Sequence, residues 1–212
     1  FISFIGDNFE NFTAEDGLCS SAIMSIAEDS LGATWFASYD NAVCRLYEGK
    51  FEHFNLDKYT ANNKRFWSSL YDSSGQMWLG SSNNLVRYSG GEFHGFGKDS
   101  GLSSSKILCL HEDSERRLWV GTSAGLDYLD SLSSTEFKNT EALQGIRVRG
   151  ITSDASGDLW LASKKGVWHI GERDTVQYTV DDGLADMSTY CVDIDADGRV
   201  WGIYLIHSYV AT

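Results

Sequence analysis

The sequence predicts an all-β chain made of about five repeated, four-stranded units, and three observations predict it. Five tryptophans, Trp35, Trp78, Trp119, Trp160 and Trp201, recur at gaps of 43, 41, 41 and 41 residues. Each stands six residues after an aspartate: Asp29, Asp72, Asp113, Asp154 and Asp195. Short apolar runs separated by turn residues fill each period, and helical periodicity is absent. A fixed period of this length, with four short strands in it, is the signature of a β-propeller blade.

Taken in order, residues 2–13 read as the third and fourth strands of a blade, because Phe9-Glu10-Asn11-Phe12 parallels Phe51-Glu52-His53-Phe54. The unit around Trp119 is the clearest. Ile107–Leu110 is a first strand, Asp113–Arg116 a turn and Leu118–Thr122 a second strand. Ser123–Gly125 turns again, Leu126–Leu129 is a third strand, and a fourth lies around Phe137. Phe12, Phe96, Phe137 and Tyr178 mark fourth strands, each 23 residues before the next Trp, with Phe54 one residue out of step. Gly17-Leu18, Gly101-Leu102 and Gly183-Leu184 follow three of them.

The aspartate is expected to accept backbone N–H groups of the turn before each Trp. Gly32, Gly75, Gly157 and Gly198 supply the left-handed residue of that turn. Arg116 replaces it in the third unit, so that turn either differs or adopts a costly conformation. The last unit supplies two strands, to about Ile203, and then loses the pattern. Two architectures follow for residues 1–212 as a single propeller domain or propeller fragment: a closed five-bladed ring, or part of a seven-bladed propeller.

Composition narrows function. A formal net charge of −13 argues against nucleic acid and anionic membrane surfaces. No apolar run reaches the length of a membrane span. The chain starts at Phe1 and reads as an excerpt of a longer polypeptide. Cys19, Cys44, Cys109 and Cys191 lack metal-like spacing. Cys109 and Cys191 share a repeat position with Ser25, Ser68 and Gly150, which reads as a crowded, buried site for a small residue.

Glu15-Asp16-Gly17-Leu18, Ile23–Asp29, Gly32 and Trp35–Ser38 together resemble the two-component regulator propeller repeat. So does the stretch from Ser100-Gly101-Leu102 to Trp119–Thr122. The resemblance covers nearly all of residues 1–203. It implies the extracytoplasmic, periplasmic sensor region of a Bacteroidetes-like hybrid histidine kinase, many of which sense oligosaccharides.

Aligning the units on their tryptophans exposes the candidate site. Seven residues before the key Asp stand Arg65, Lys106 and Arg147, with Ala22 and Ser188 elsewhere. Five before it stand Trp67, Arg149 and Tyr190, beside Met24 and Leu108. The loops between second and third strands add Tyr39, Asp40, Asn41, Asn83, Asn84, Lys164 and Lys165. In a propeller these loops open on one face. Aromatics there would stack on a sugar ring, amides would bond hydroxyls, and Arg would pair with a carboxylate or sulfate.

No catalytic residue, cofactor or metal is expected. Asp193–Gly198 opens like a calcium loop, but Tyr204 stands where the bidentate Glu belongs. His53, His94, His111, His169 and His207 share no ligand spacing and read as surface or strand histidines. The expected function is therefore a non-catalytic sensor module for an oligosaccharide or other small polar ligand, whether anionic or neutral. An interaction scaffold, through propeller–propeller or homodimer contact, is the alternative. A propeller lyase or glycosidase ranks last, because no acid–base pair stands out.

Overall fold

The protein is described from a computed structural model covering residues 2–5, 8–40, 42–60 and 65–204. Ile2–Ile5 (β1) and Asn8–Asn11 (β2) form an antiparallel hairpin. Ile23–Glu28 (β3), Thr34–Ser38 (β4), Val43–Tyr47 (β5) and Lys50–Phe54 (β6) form the first four-stranded sheet, in chain order. Phe66–Tyr71 (β7), Met77–Ser81 (β8), Leu85–Ser89 (β9) and Glu92–Phe96 (β10) form the second. Ile107–Glu112 (β11), Leu118–Thr122 (β12), Leu126–Leu129 (β13) and Lys138–Asn139 (β14) form the third. Val148–Ser153 (β15), Leu159–Ser163 (β16), Gly166–Ile170 (β17) and Thr175–Tyr178 (β18) form the fourth. Thr189–Ile194 (β19) pairs with Val200–Tyr204 (β20) as a two-stranded sheet. The chain divides into two units, Phe1–Leu110 and His111–Thr212.

The six-residue spacing of Asp and Trp has a direct physical cause. Asp29 Oδ1 accepts the N–H of Leu31 at 2.9 Å and of Ala33 at 3.0 Å, which closes the turn. Its Oδ2 accepts the Trp35 indole N–H at 2.9 Å, which clips the turn to the second strand. The same clip recurs at Trp78 (2.7 Å), Trp119 (2.7 Å), Trp160 (3.2 Å) and Trp201 (2.8 Å). A carboxylate that satisfies three donors in one hairpin removes the cost of burying them. Trp35, Trp78 and Trp119 are buried, whereas Trp201 is 60% exposed on β20.

Arg116 takes the costly option: its φ is 62°, where the equivalent glycines lie between 77° and 87°. The Gly-Leu steps also find a reason. Thr13 and Asp16 close a capping box around a short 3-10 turn, and Gly17 ends it with φ 98°. Leu18 is then driven into the core, as Leu102 is after the corresponding turn. In the first unit the core gathers Trp35, Leu56, Phe66, Met77 and Leu79 between the first two four-stranded sheets.

The position shared by Ser25, Ser68, Cys109, Gly150 and Cys191 is less uniform than a buried small-residue site. Gly150 is buried, Ser25, Ser68 and Cys109 are half-buried, and Cys191 is exposed. What unites four of them is backbone geometry. Each follows a β-bulge in the first strand, between Ile23 and Ser25, Phe66 and Ser68, Val148 and Gly150, and Thr189 and Cys191.

Candidate ligand-binding site

The bulges decide where the candidate side chains go. The residue skipped by the pairing is Met24, Trp67, Arg149 or Tyr190, all at the position five before the key Asp. A bulged residue has no partner across the ladder, and the local kink re-aims its side chain. The flanking residues stay in register, and Phe66, Val148 and Thr189 are buried. The core is therefore kept while one side chain in each of these four strands is diverted.

Backbone bonds hold the neighbouring loops beside these bulges. The N–H of Tyr39 donates to Ala22 O at 2.8 Å, that of Ser82 to Arg65 O at 2.7 Å, and that of Lys164 to Arg147 O at 3.2 Å. Each ties the turn after a second strand to the segment leading into the first strand of its own blade. Further bonds reach the next leading segment, from Asn84 N–H to Ser105 O at 2.7 Å and from Gly166 N–H to Met187 O at 2.6 Å. In each unit these backbone bonds make the two sets of loops neighbours.

In the first unit four candidates form a continuous row. The Arg65 guanidinium sits 4.3 Å from the Tyr39 ring centroid. Tyr39 meets Trp67 edge-on at 5.6 Å. The Lys106 ammonium lies 5.6 Å from the Trp67 ring. Such cation–π contacts are worth roughly 0.5–2 kcal/mol each and hold flexible cations in place. The Trp67 Nε1 is buried and has no hydrogen-bond partner among the described residues. Beside the row, the Ser20 hydroxyl holds the Asp40 carboxyl below its ordinary value, with slight burial opposing and Ser38 assisting.

In the second unit two candidates pair. The Arg149 guanidinium stacks 4.0 Å from the Tyr190 centroid, and its Nη1 donates to Ser188 Oγ at 2.9 Å. Among the described residues Arg147 and Lys164 are joined through the backbone, and Lys164 and Lys165 are exposed. Asn83 and Asn84 serve the turn between β8 and β9. The Asn83 N–H donates to Ser81 Oγ at 3.1 Å. Asn84 takes φ 91° and its Nδ2 donates to Tyr59 O at 3.0 Å. Asn41 lies outside the described residues.

Sequence reasoning did not pair Cys19 with Cys44, which form a disulfide across 25 residues. Cys109 and Cys191, which share a repeat position, are not joined by a disulfide. Asp193–Gly198 is the fifth Asp–Trp turn: Asp195 Oδ1 accepts the N–H groups of Asp197 and Arg199. Among the described residues, no helix is long and apolar enough to cross a membrane.

Residues 101–124 match the family described as two component regulator propeller. No curated protein matches the sequence. Among solved structures, the chain is similar to the extracellular domain of a hybrid two component system from B. thetaiotaomicron. That match has a TM-score of 0.72 at 20% identity, over 86% of this chain and 26% of that one. A second such extracellular domain from B. thetaiotaomicron matches with TM-score 0.60 and 18% identity, over 86% of this chain and 32% of that one. A virginiamycin B lyase from Staphylococcus aureus matches with TM-score 0.69 and 17% identity, over 86% of this chain and 63% of the enzyme. The chain thus spans about a quarter to a third of the length of the sensor domains it resembles. The repeats, the four-stranded antiparallel sheets and these likenesses agree on a β-propeller fold, in which residues 101–124 match the two component regulator propeller family.

Proposed function

We propose that this chain is a non-catalytic ligand-sensing module of an extracytoplasmic receptor, and that its bulge-bearing loop face binds a carbohydrate carrying anionic groups. The observation that carries this reading is the row Arg65–Tyr39–Trp67–Lys106. It joins two aromatic faces to two cations and leaves a buried indole N–H without a partner among the described residues. A buried donor left unpaired costs about 1–3 kcal/mol, so such an atom favours a ligand or water that can accept from it. Aromatic faces suit the C–H faces of a sugar ring, and the cations suit its carboxylate or sulfate groups.

Two further observations support the reading. The disulfide between Cys19 and Cys44 suits an oxidising, extracytoplasmic or periplasmic setting. The carboxyls with clear shifts, those of Asp16, Asp40, Asp113, Asp154 and Asp195, are all held below their ordinary value. An acid catalyst needs the opposite shift.

The test is a thermal-shift screen against neutral, uronate-containing and sulfated oligosaccharides, followed by calorimetry on the hits. Bound ligand raises apparent stability by mass action, by about 2.7 kcal/mol at a hundredfold excess over Kd. Trp67→Ala and Arg149→Ala should remove or weaken binding while circular dichroism stays unchanged. Unaltered affinity in both variants would remove the site assignment.

The alternative, a protein-interaction or dimerisation scaffold, is favoured by Trp201 and Ile203, 60% and 61% exposed on one face of β20. Concentration-dependent sedimentation that disappears in Trp201→Ser would favour it.

A further inference from the structure

A second cluster lies at the other end of the fourth sheet, where Asp154 follows the last residue of β15, five residues and about 16 Å from Arg149. There one ligand-capable atom each from Asp154, Asp158 and His169 falls within 4.8 Å of the others. His169 Nε2 is 3.2 Å from Asp158 Oδ2. All three residues are half-buried.

Comparison with the other repeats shows that this cluster is a departure rather than a common feature of the turn. Across from the key Trp, the first two repeats place Arg45 and Arg87, each stacked on its tryptophan at 5.5 and 5.4 Å. The fourth repeat places His169 opposite Trp160, with ring centroids 4.5 Å apart. A guanidinium has no lone pair to give, whereas an imidazole has one. Four residues after the key Asp, the other repeats carry Ala33, Gln76, Arg117 and Arg199. Only the fourth carries a carboxylate there, Asp158. The local chemistry has therefore changed from one anion beside a permanent cation to two anions beside a potential donor.

Three details fit a cation. The Asp154 Oδ2–Trp160 bond, at 3.2 Å, is the longest of the five clips, against 2.7–2.9 Å in the others. That oxygen is the least committed of its kind. Gly171 leaves a space at the cluster: a Cβ there would stand 3.2 Å from Asp158 Oδ2, 3.0 Å from Asp174 Oδ1 and 3.5 Å from His169 Cε1. The space opens on a cleft of about 810 Å³ that Asp158, Gly171 and Asp174 help to line, which leaves room for water to complete a coordination shell.

We propose that Asp154, Asp158 and His169 form a binding site for one divalent first-row metal ion of Zn2+ type, with Asp174 within reach of its outer shell. A mixed imidazole–carboxylate donor set favours such ions over Ca2+ or Mg2+, which prefer all-oxygen sites. The cluster lies at the opposite end of the fourth sheet from Arg149, and it shares no residue with the sugar-binding reading proposed above, so either can fail without the other.

Calorimetric titration of Zn2+ into the metal-free chain should show one equivalent of binding, and Ca2+ should bind far more weakly. His169→Arg reproduces the arrangement at Arg45 and Arg87, so it should keep the fold. It should weaken Zn2+ binding by about 10-fold or more. A second measurement needs no variant: Zn2+ should protect His169 from diethyl pyrocarbonate more than the other four histidines. No tight equivalent in the native chain, equal affinity in His169→Arg, or equal labelling of His169 with and without Zn2+ would overturn the proposal.

Discussion

At the scale of single residues, the aspartate carries more of the repeat than the tryptophan that makes it visible. Asp72 is buried at 2% exposure and accepts from the N–H groups of Ser74 and Gln76, the Gln76 amide and the Trp78 indole. Asp72→Ala leaves these donors unpaired and should cost about 3–5 kcal/mol in chemical denaturation. Asp195 makes the same turn on an exposed hairpin, so Asp195→Ala should cost far less. Equal losses would show that the clip does not act through burial. Arg116 gives a prediction of opposite sign. At φ 62° it occupies a region that costs a non-glycine residue about 1 kcal/mol, so Arg116→Gly should stabilise the chain by roughly that amount.

The same residues set the acid limit. Burial pushes the Asp113 carboxyl up, but the Trp119 indole, the Arg117 N–H and the Arg117 guanidinium outweigh it, and the net direction is down. Asp154 is also lowered: burial raises it, and the Trp160 indole, two backbone N–H groups and His169 pull it further down. Their stabilisation is present above the ordinary value of 3.8 and is lost as pH falls through the lower folded values. His111 is lowered by burial against the pull of Asp113 and Glu112. Its neutral form is favoured on folding, so its loss begins earlier, as pH falls below its ordinary 6.5. Thermal melts from pH 8 to 3 should show a first decline below about 6.5 that His111→Gln removes. A first decline unchanged in that variant would assign it elsewhere.

At the scale of elements, the sequence shows the strands well and the bulges not at all. Period, turn residues and the fourth-strand aromatics located the sheets, because each is a local signal with a fixed offset from Trp. A bulge is a mismatch between two strands, and one strand alone does not encode it. The candidate positions were nevertheless found, because Trp67, Arg149 and Tyr190 break the pattern of their own column. The disulfide was missed for a related reason. Cys19 and Cys44 occupy different repeat positions, and only the pairing of β4, β5 and the preceding loop brings them together. Closing a loop of this length restricts the unfolded chain, so reduction should lower stability by about 3 kcal/mol. Cys44→Ser should lower the denaturation midpoint as much as reductant does, and reductant should then have no further effect.

At the scale of the whole molecule, charge sets the terms of recognition. The chain carries −13, yet both candidate clusters present arginine or lysine beside aromatic rings. On the function proposed above, local cations in an acidic protein would give selectivity for the anionic groups of a ligand while the overall field repels polyanions. Affinity for a uronate or sulfated sugar should therefore fall as salt rises and the Debye length shortens from about 10 Å at 0.1 M. The architecture could be read from the sequence because repetition amplifies a weak signal fivefold. The sites could be read only in part, because each occurs once and depends on which loops the sheets bring side by side.

The measurement that bears most directly on the account is oligosaccharide calorimetry with the native chain and Trp67→Ala, at matched circular dichroism. The account predicts saturable binding of an anionic oligosaccharide that the substitution abolishes or weakens by at least about 10-fold, the loss of one stacked ring. Saturable binding that Trp67→Ala leaves intact, or none across the neutral and anionic panel, would contradict it.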